Sequence, residues 1–129
     1  MKFSRYYSSK NFKPWKLRVG YSPPHLSSFF TKKAILINGL YDNKFKIAGD
    51  FEFFVRCFLK ERISYKITNQ CNVIMSIGGL SGKNLMSHYT STLEILQSFK
   101  KNKIYSNIFF ILLRFPIKVF QFFKKKHEL

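Results

Sequence analysis

The sequence predicts a single α/β domain, and three observations lead there. Its 129 residues at 15.4 kDa fit one hydrophobic core. Residues 63–67 and 73–77 alternate and are rich in β-branched side chains, the pattern of strands. Around them, apolar residues recur with helical spacing between Thr31 and Gly39, from Gly49 to Lys60 and over 84–101. An apolar fraction of 46% and an aromatic fraction of 19% can fill a core, which argues against a disordered chain.

Each element has its own reason. Residues 1–22 are polar, aromatic and basic without a clean period, so they predict irregular structure, and Pro23-Pro24 then stiffens the backbone. Residues 26–30 predict a short strand. Thr31 caps a short helix carrying Ala34, Ile35 and Leu36, and Gly39 suits a left-handed C-terminal position. Residues 40–48 predict a loop turning at Asp42-Asn43, with Phe45 and Ile47 inward. Gly49-Asp50 opens the strongest helix. Phe51, Phe54, Val55, Phe58 and Leu59 share one face that must be buried, while Glu52, Arg56 and Lys60 lie elsewhere and Glu52 is expected to be solvated.

Strands at 63–67 and 73–77 are expected to connect through Asn69 and Gln70, the second ending at Gly78-Gly79. The helix over 84–101 carries Leu85, Tyr89, Leu93, Leu96 and Phe99 along one side and ends at Asn102. Residues 104–123 are mostly apolar but hold Arg114, Pro116 and Lys118, with Lys124-Lys125-Lys126 behind them. A central Arg costs roughly 2.5–3.5 kcal/mol on insertion scales, which disfavours a simple span. The stretch predicts a helix at a bilayer surface, with Phe, Leu and Ile immersed and basic residues facing anionic lipid. The alternative is a C-terminal helix packed on the domain. The chain thus divides into residues 1–101 and a basic, Phe-rich helical tail, 102–129.

Charge narrows the partners. Lys and Arg number 23 against 6 Asp and Glu, a formal net charge of +17, and no acid occurs before Asp42. Such a chain seeks anions: phosphate, nucleic acid or an acidic membrane leaflet. Cys57 and Cys71 lack the close spacing of a zinc or redox pair, and read as small buried hydrophobes. No apolar run opens the chain as a secretory signal would, so the terminal Lys126-His127-Glu128-Leu129 is not read as a retention tetrapeptide. Residues 78–84 evoke a phosphate loop but lack its first Gly and its final Ser or Thr. His25 and His88 fall on separate predicted elements, which offers no local metal pair.

Asp50 stands out. It lies just ahead of the Phe51/Phe54/Phe58 face, where helix N–H groups and the macrodipole favour a charged carboxylate. A carboxylate held there beside a cleft can accept a proton from a hydroxyl. An ordinary N-cap fits the same local pattern, and both readings stay open on spacing alone.

Taken together, Arg5-Tyr6-Tyr7-Ser8-Ser9-Lys10, Pro14-Trp15, Pro23-Pro24-His25, Gly39-Leu40-Tyr41-Asp42, the run FKIAGDFEFFVR from Phe45 to Arg56, and Gly78-Gly79-Leu80-Ser81 resemble the acceptor-side half of bacterial family-2 glycosyltransferases. The likeness runs over nearly the whole chain in order. It implies part of a GT-A, Rossmann-like domain and an inverting transfer of sugar from a nucleotide-sugar donor to a glycan or lipid-linked acceptor, in surface polysaccharide or lipopolysaccharide assembly. It implies that Asp50 is the catalytic base, and that His25, Glu52, Arg56, Gly78, Gly79 and Ser81 line the acceptor cleft or support it. The family's nucleotide-binding segment and metal-binding DxD have no counterpart here. The chain is therefore expected to be a C-terminal piece, inactive without a donor-binding half, with no cofactor of its own. A divalent cation, Mg or Mn, is expected only in the complete enzyme. The expected location is cytoplasmic, peripheral at the inner face of the plasma membrane.

Two other readings compete. A small basic nucleic-acid-binding protein would use Tyr6, Tyr7, Phe12 and Trp15 for stacking, yet no RNP, KH or zinc signature accompanies them. A non-catalytic membrane-surface protein would use only the tail.

Overall fold

Pro14 opens a 3-10 turn, Pro14–Val19, at a position where its missing N–H costs nothing, and Gly20 closes the turn at φ 77°. A Cβ on Gly20 would stand 2.9 Å from the Arg114 Cβ and 3.0 Å from the Ile111 carbonyl oxygen, so only glycine lets the turn approach the C-terminal helices this closely. These contacts come from a computed structural model that describes residues 9–68, 70 and 84–123. A second 3-10 turn, His25–Ser27, is followed by α1 (Lys32–Asn38), α2 (Gly49–Phe54), a π-helical turn Val55–Lys60 that continues α2, α3 (Leu85–Lys101), α4 (Ile108–Leu112) and α5 (Arg114–Phe123).

The caps read from the sequence form as their chemistry requires. Thr31 Oγ1 accepts the Ala34 N–H at 3.1 Å, and Gly39 leaves α1 at φ 78°. Asp42 Oδ1 accepts the Lys44 N–H at 2.9 Å and makes the expected turn. Asn84 caps α3 through Ser87 N–H at 2.8 Å, and Asn107 caps α4 through Phe110 N–H at 3.0 Å. The helix breaks at Leu113, so Pro116 sits in the first turn of α5, where it displaces no intrahelical bond.

One core joins the elements. Phe51, Phe54 and Val55 are buried with Phe12, Leu17, Ala48, Ile95, Phe99 and Ile111. Phe51 meets Phe99 of α3 edge-on at 5.9 Å, and Phe54 stacks on Phe58 at 5.8 Å. Ile111 is fully buried, so α4 belongs to this core.

Sequence and structure part company at several elements. The described residues form a small, mostly helical domain with no strand, where an α/β domain was expected. Residues 26 and 27 belong to the second 3-10 turn and 28–30 carry no ladder among the described residues; Ser27 and Ser28 turn their hydroxyls back onto the Pro24 carbonyl, at 3.3 and 2.8 Å. Residues 63–67 run without a ladder partner among the described residues, although Ile67 packs against the core. The third expected strand, 73–77, and the turn at Gly78-Gly79 lie outside the described residues.

The other differences concern polar groups. Glu52 is fully buried rather than solvated. On α3, Phe99 is buried and Leu96 packs on the core, but Leu85 and Tyr89 stand 87% and 62% exposed, while Ser91, Thr92, Glu94 and Ser98 face inward. Arg114, expected on a lipid-facing surface, points into the domain. It donates to Thr92 Oγ1 at 2.8 Å, Ser91 Oγ at 3.1 Å and the His88 carbonyl at 3.3 Å, and burial lowers its pKa. Among the described residues, no helix is long and apolar enough to cross a membrane.

Candidate functional site

A helix start leaves backbone N–H groups without acceptors, and the N-cap position of α2 offers no side chain to take them. Its N-cap position is Ala48; Asp50 falls one place inside the first turn and so is not the cap. Glu94, reaching across from α3, does that work. Its Oε1 accepts Lys46 N–H at 2.9 Å, and its Oε2 accepts Ile47 N–H at 2.9 Å and Ala48 N–H at 2.7 Å. The Glu94 residue is 8% exposed, so these charge-assisted bonds fix the entry to α2 away from water.

Relieved of capping, Asp50 faces outward. Its Oδ1 accepts the Phe51 N–H at 2.8 Å, and its Oδ2 lies 3.1 Å from His25 Nδ1. The side chains are 35% and 43% exposed, so the pair is open to a second molecule on one side. Two residues 25 positions apart in sequence, each singled out from the sequence for the site, therefore meet. His88 does not join them; its ring meets Phe115 of α5 edge-on at 5.7 Å.

Glu52, two residues on, gathers a buried ionic hub. Glu52 Oε2 accepts from Arg56 Nη2 at 3.1 Å, and its Oε1 accepts from Lys101 Nζ at 3.1 Å and Asn102 Nδ2 at 3.2 Å. Both cations reach onward. Arg56 donates to the Asn38 carbonyl and, at 2.8 Å, to the Leu40 carbonyl, while Lys101 pairs with Asp42 Oδ2 at 2.7 Å. The Lys101 hydrogen bond holds the Asp42 carboxyl below its ordinary range. Burial acts to lower the Lys101 ammonium, but its hydrogen bonds to Asp42 and Glu52 outweigh that and leave its pKa raised. Glu52 thus cannot line a cleft: its carboxylate is enclosed, and it acts through Arg56 and Lys101 on residues 38–42. Arg56 likewise supports the site from within.

Tyr41 stands between those two anchors. Its ring stacks on Phe53 with centroids 4.5 Å apart and planes at 17°, yet the residue is 50% exposed. Burial of the hydroxyl, and then the nearby charge of Asp50, raise the phenol's pKa. Gly78, Gly79 and Ser81 lie outside the described residues.

The acids here do not suit a divalent ion. Asp42, Asp50, Glu52 and Glu94 are each engaged by a cation, an imidazole or backbone N–H groups. Among the described residues no three His, Cys, Asp or Glu side chains gather for a metal. Concavities of about 550 and 590 Å³ open elsewhere, one beside Pro14, Phe58 and Tyr65 and the other beside Leu93, Phe99 and Tyr105.

Neither Glu94 nor Tyr41 was expected here. Glu94 carries one signal: it is the only acid between Arg62 and His127, set within the apolar run Leu93-Glu94-Ile95-Leu96. An acid in such a run is costly to bury unless partnered. In comparisons with known proteins, no family model, curated protein or solved structure matches this chain.

Proposed function

We propose that this chain is the acceptor-side part of an inverting family-2 glycosyltransferase that needs a donor-binding half for activity. The observation that carries the reading is the half-exposed Asp50–His25 pair at 3.1 Å, built on a rigid buried support. In this scheme Asp50 takes the proton from an acceptor hydroxyl as that oxygen attacks the anomeric carbon of the donor. The new C–O bond forms while the bond to the nucleotide diphosphate breaks, and the diphosphate leaves with the electron pair. His25 holds the carboxylate in place through Nδ1. No step passes through a metal held by this chain. The acceptor is a glycan or lipid-linked sugar of surface polysaccharide assembly.

The same reading puts the protein at the inner face of the plasma membrane, bound peripherally. Support comes from the net charge of +17 and from Phe109 and Phe120, which stand 76% and 68% exposed on α4 and α5. Sedimentation with phosphatidylglycerol vesicles, lost with phosphatidylcholine alone, is the expected result.

The test is sugar transfer by the chain combined with a nucleotide-binding half, from a radiolabelled nucleotide sugar. Asp50→Asn is expected to lower the rate by about 10²–10⁴, the usual contribution of a general base. Equal rates for Asp50→Asn and the unaltered chain would remove Asp50 from this role.

A further inference from the structure

An aromatic ring that is exposed on one face, packed on the other and set beside a carboxylate offers a stacking surface next to a proton acceptor. Tyr41 is such a ring. Phe53 covers one of its faces at 4.5 Å, and the residue remains 50% exposed. Asp50 and Phe53 are i, i+3 neighbours on α2, so a ring lying on Phe53 sits one helical turn from the Asp50 carboxylate. The charge of Asp50 also reaches the Tyr41 hydroxyl, as its raised pKa reflects.

The ring is held from both sides. The Leu40 carbonyl is fixed by Arg56 Nη2 at 2.8 Å, and the Asp42 carboxylate by Lys101 Nζ at 2.7 Å. Both cations are gathered by Glu52, which has no exposed surface. An exposed loop tip has little structural reason to be clamped so firmly at the residues before and after one tyrosine. Such preorganisation is what a stacking surface requires, since a ring already fixed loses little entropy on binding.

We propose that Tyr41 is the platform for the acceptor sugar. A pyranose lays its apolar C–H face on the free face of the ring, which directs one of its hydroxyls toward Asp50. This rests on the glycosyltransferase reading for the identity of the ligand, and adds the residue that binds it. Aromatic floors combined with a few placed polar groups are the usual make-up of small-molecule sites. The ring supplies affinity and orientation, and Asp50 supplies the proton acceptor.

The experiment is NMR on the full chain labelled at its Tyr and His rings, titrated with methyl β-D-glucopyranoside, methyl β-D-galactopyranoside and methyl α-D-mannopyranoside. At least one glycoside is expected to shift the Tyr41 ring signals, with saturation transfer to its C–H protons. Tyr41→Ala is expected to weaken that binding at least tenfold, and Tyr41→Trp to retain it. The His25 ring signals report whether the neighbouring pair stays intact in each variant. Binding in Tyr41→Ala equal to that of the unaltered chain, or no shift at Tyr41 with any of the three glycosides, overturns the platform. Glycoside binding at Tyr41 without any transfer activity in the completed enzyme would instead overturn the catalytic reading and leave the platform standing.

Discussion

The two sides of α3 are opposite in character and in their state of satisfaction. Its inward side carries Ser91, Thr92, Glu94 and Ser98 beside Ile95 and Phe99, all buried. Each of those polar groups has a partner: Arg114 for Ser91 and Thr92, backbone N–H groups for Glu94, and the Ile95 carbonyl for Ser98 Oγ at 2.6 Å. The outward side carries Leu85, Met86 and Tyr89, exposed by 87%, 68% and 62%. A helix of an isolated domain turns its apolar stripe inward. Here Leu85, Met86 and Tyr89 are left outside, and the inner side, besides giving Ile95 and Phe99 to the core, holds the loop before Asp50 and the start of α5. Burial in this protein is therefore decided by bonding partners as much as by hydropathy.

The largest test of this contrast removes an inner carboxylate. Glu52→Ala strands two cations and an amide, and is expected to cost about 3–5 kcal/mol, as for other broken buried pairs. Glu94→Ala leaves three N–H groups without their acceptor and is expected to cost about 3 kcal/mol or more. Both are large beside the roughly 5–15 kcal/mol that holds a domain together. Urea unfolding midpoints measure them; losses under about 1 kcal/mol would put both acids on the surface energetically.

Next in size is the pH response of the core. Burial pushes the Cys57 thiol up to about 11, above its ordinary 9.0, so the folded state disfavours the thiolate. Its contribution is complete below pH 9 and is lost as pH rises toward 11, on the order of 2 kcal/mol. Urea titrations at pH 8 and pH 11, with Cys57→Ala as the reference, check it in a Cys71→Ser background. Smaller still are the end caps: Asn84→Ala and Asn107→Ala are each expected to cost about 1 kcal/mol, read from thermal melts.

The smallest stability effect belongs to the outward side. Leu85→Ser and Tyr89→Ser are expected to change stability by less than about 0.5 kcal/mol, because they remove no buried contact. A cost of 2 kcal/mol or more would show that the outward side is packed after all, and would erase the contrast.

Local chemistry made some of this legible. Thr31, Gly39 and Asp42 act within four residues of themselves, and the Phe51/Phe54/Val55 face follows from helical spacing. Asp50 and His25 were legible as candidates, but their meeting depends on the path of the intervening chain. Glu52 was misread because its i,i+4 partner Arg56 makes an ordinary surface pair on paper. What buries it arrives from Lys101 and Asn102, 49 and 50 residues on. The strand expected at 26–30 gave way to hydroxyl groups returning to the Pro24 carbonyl, and 63–67 carries no ladder among the described residues, since β-branched alternation specifies a strand only where a neighbour supplies the ladder.

The Glu94 bridge sets an order of events during synthesis. The acceptor for the Ala48 N–H is added to the growing chain 46 residues later, so the first turn of α2 emerges from the ribosome unfinished. Asp50 can take its final position only once α3 has been made and has docked. Stability of the Asp50 neighbourhood and arrival of the C-terminal half of the chain are, in this protein, one event.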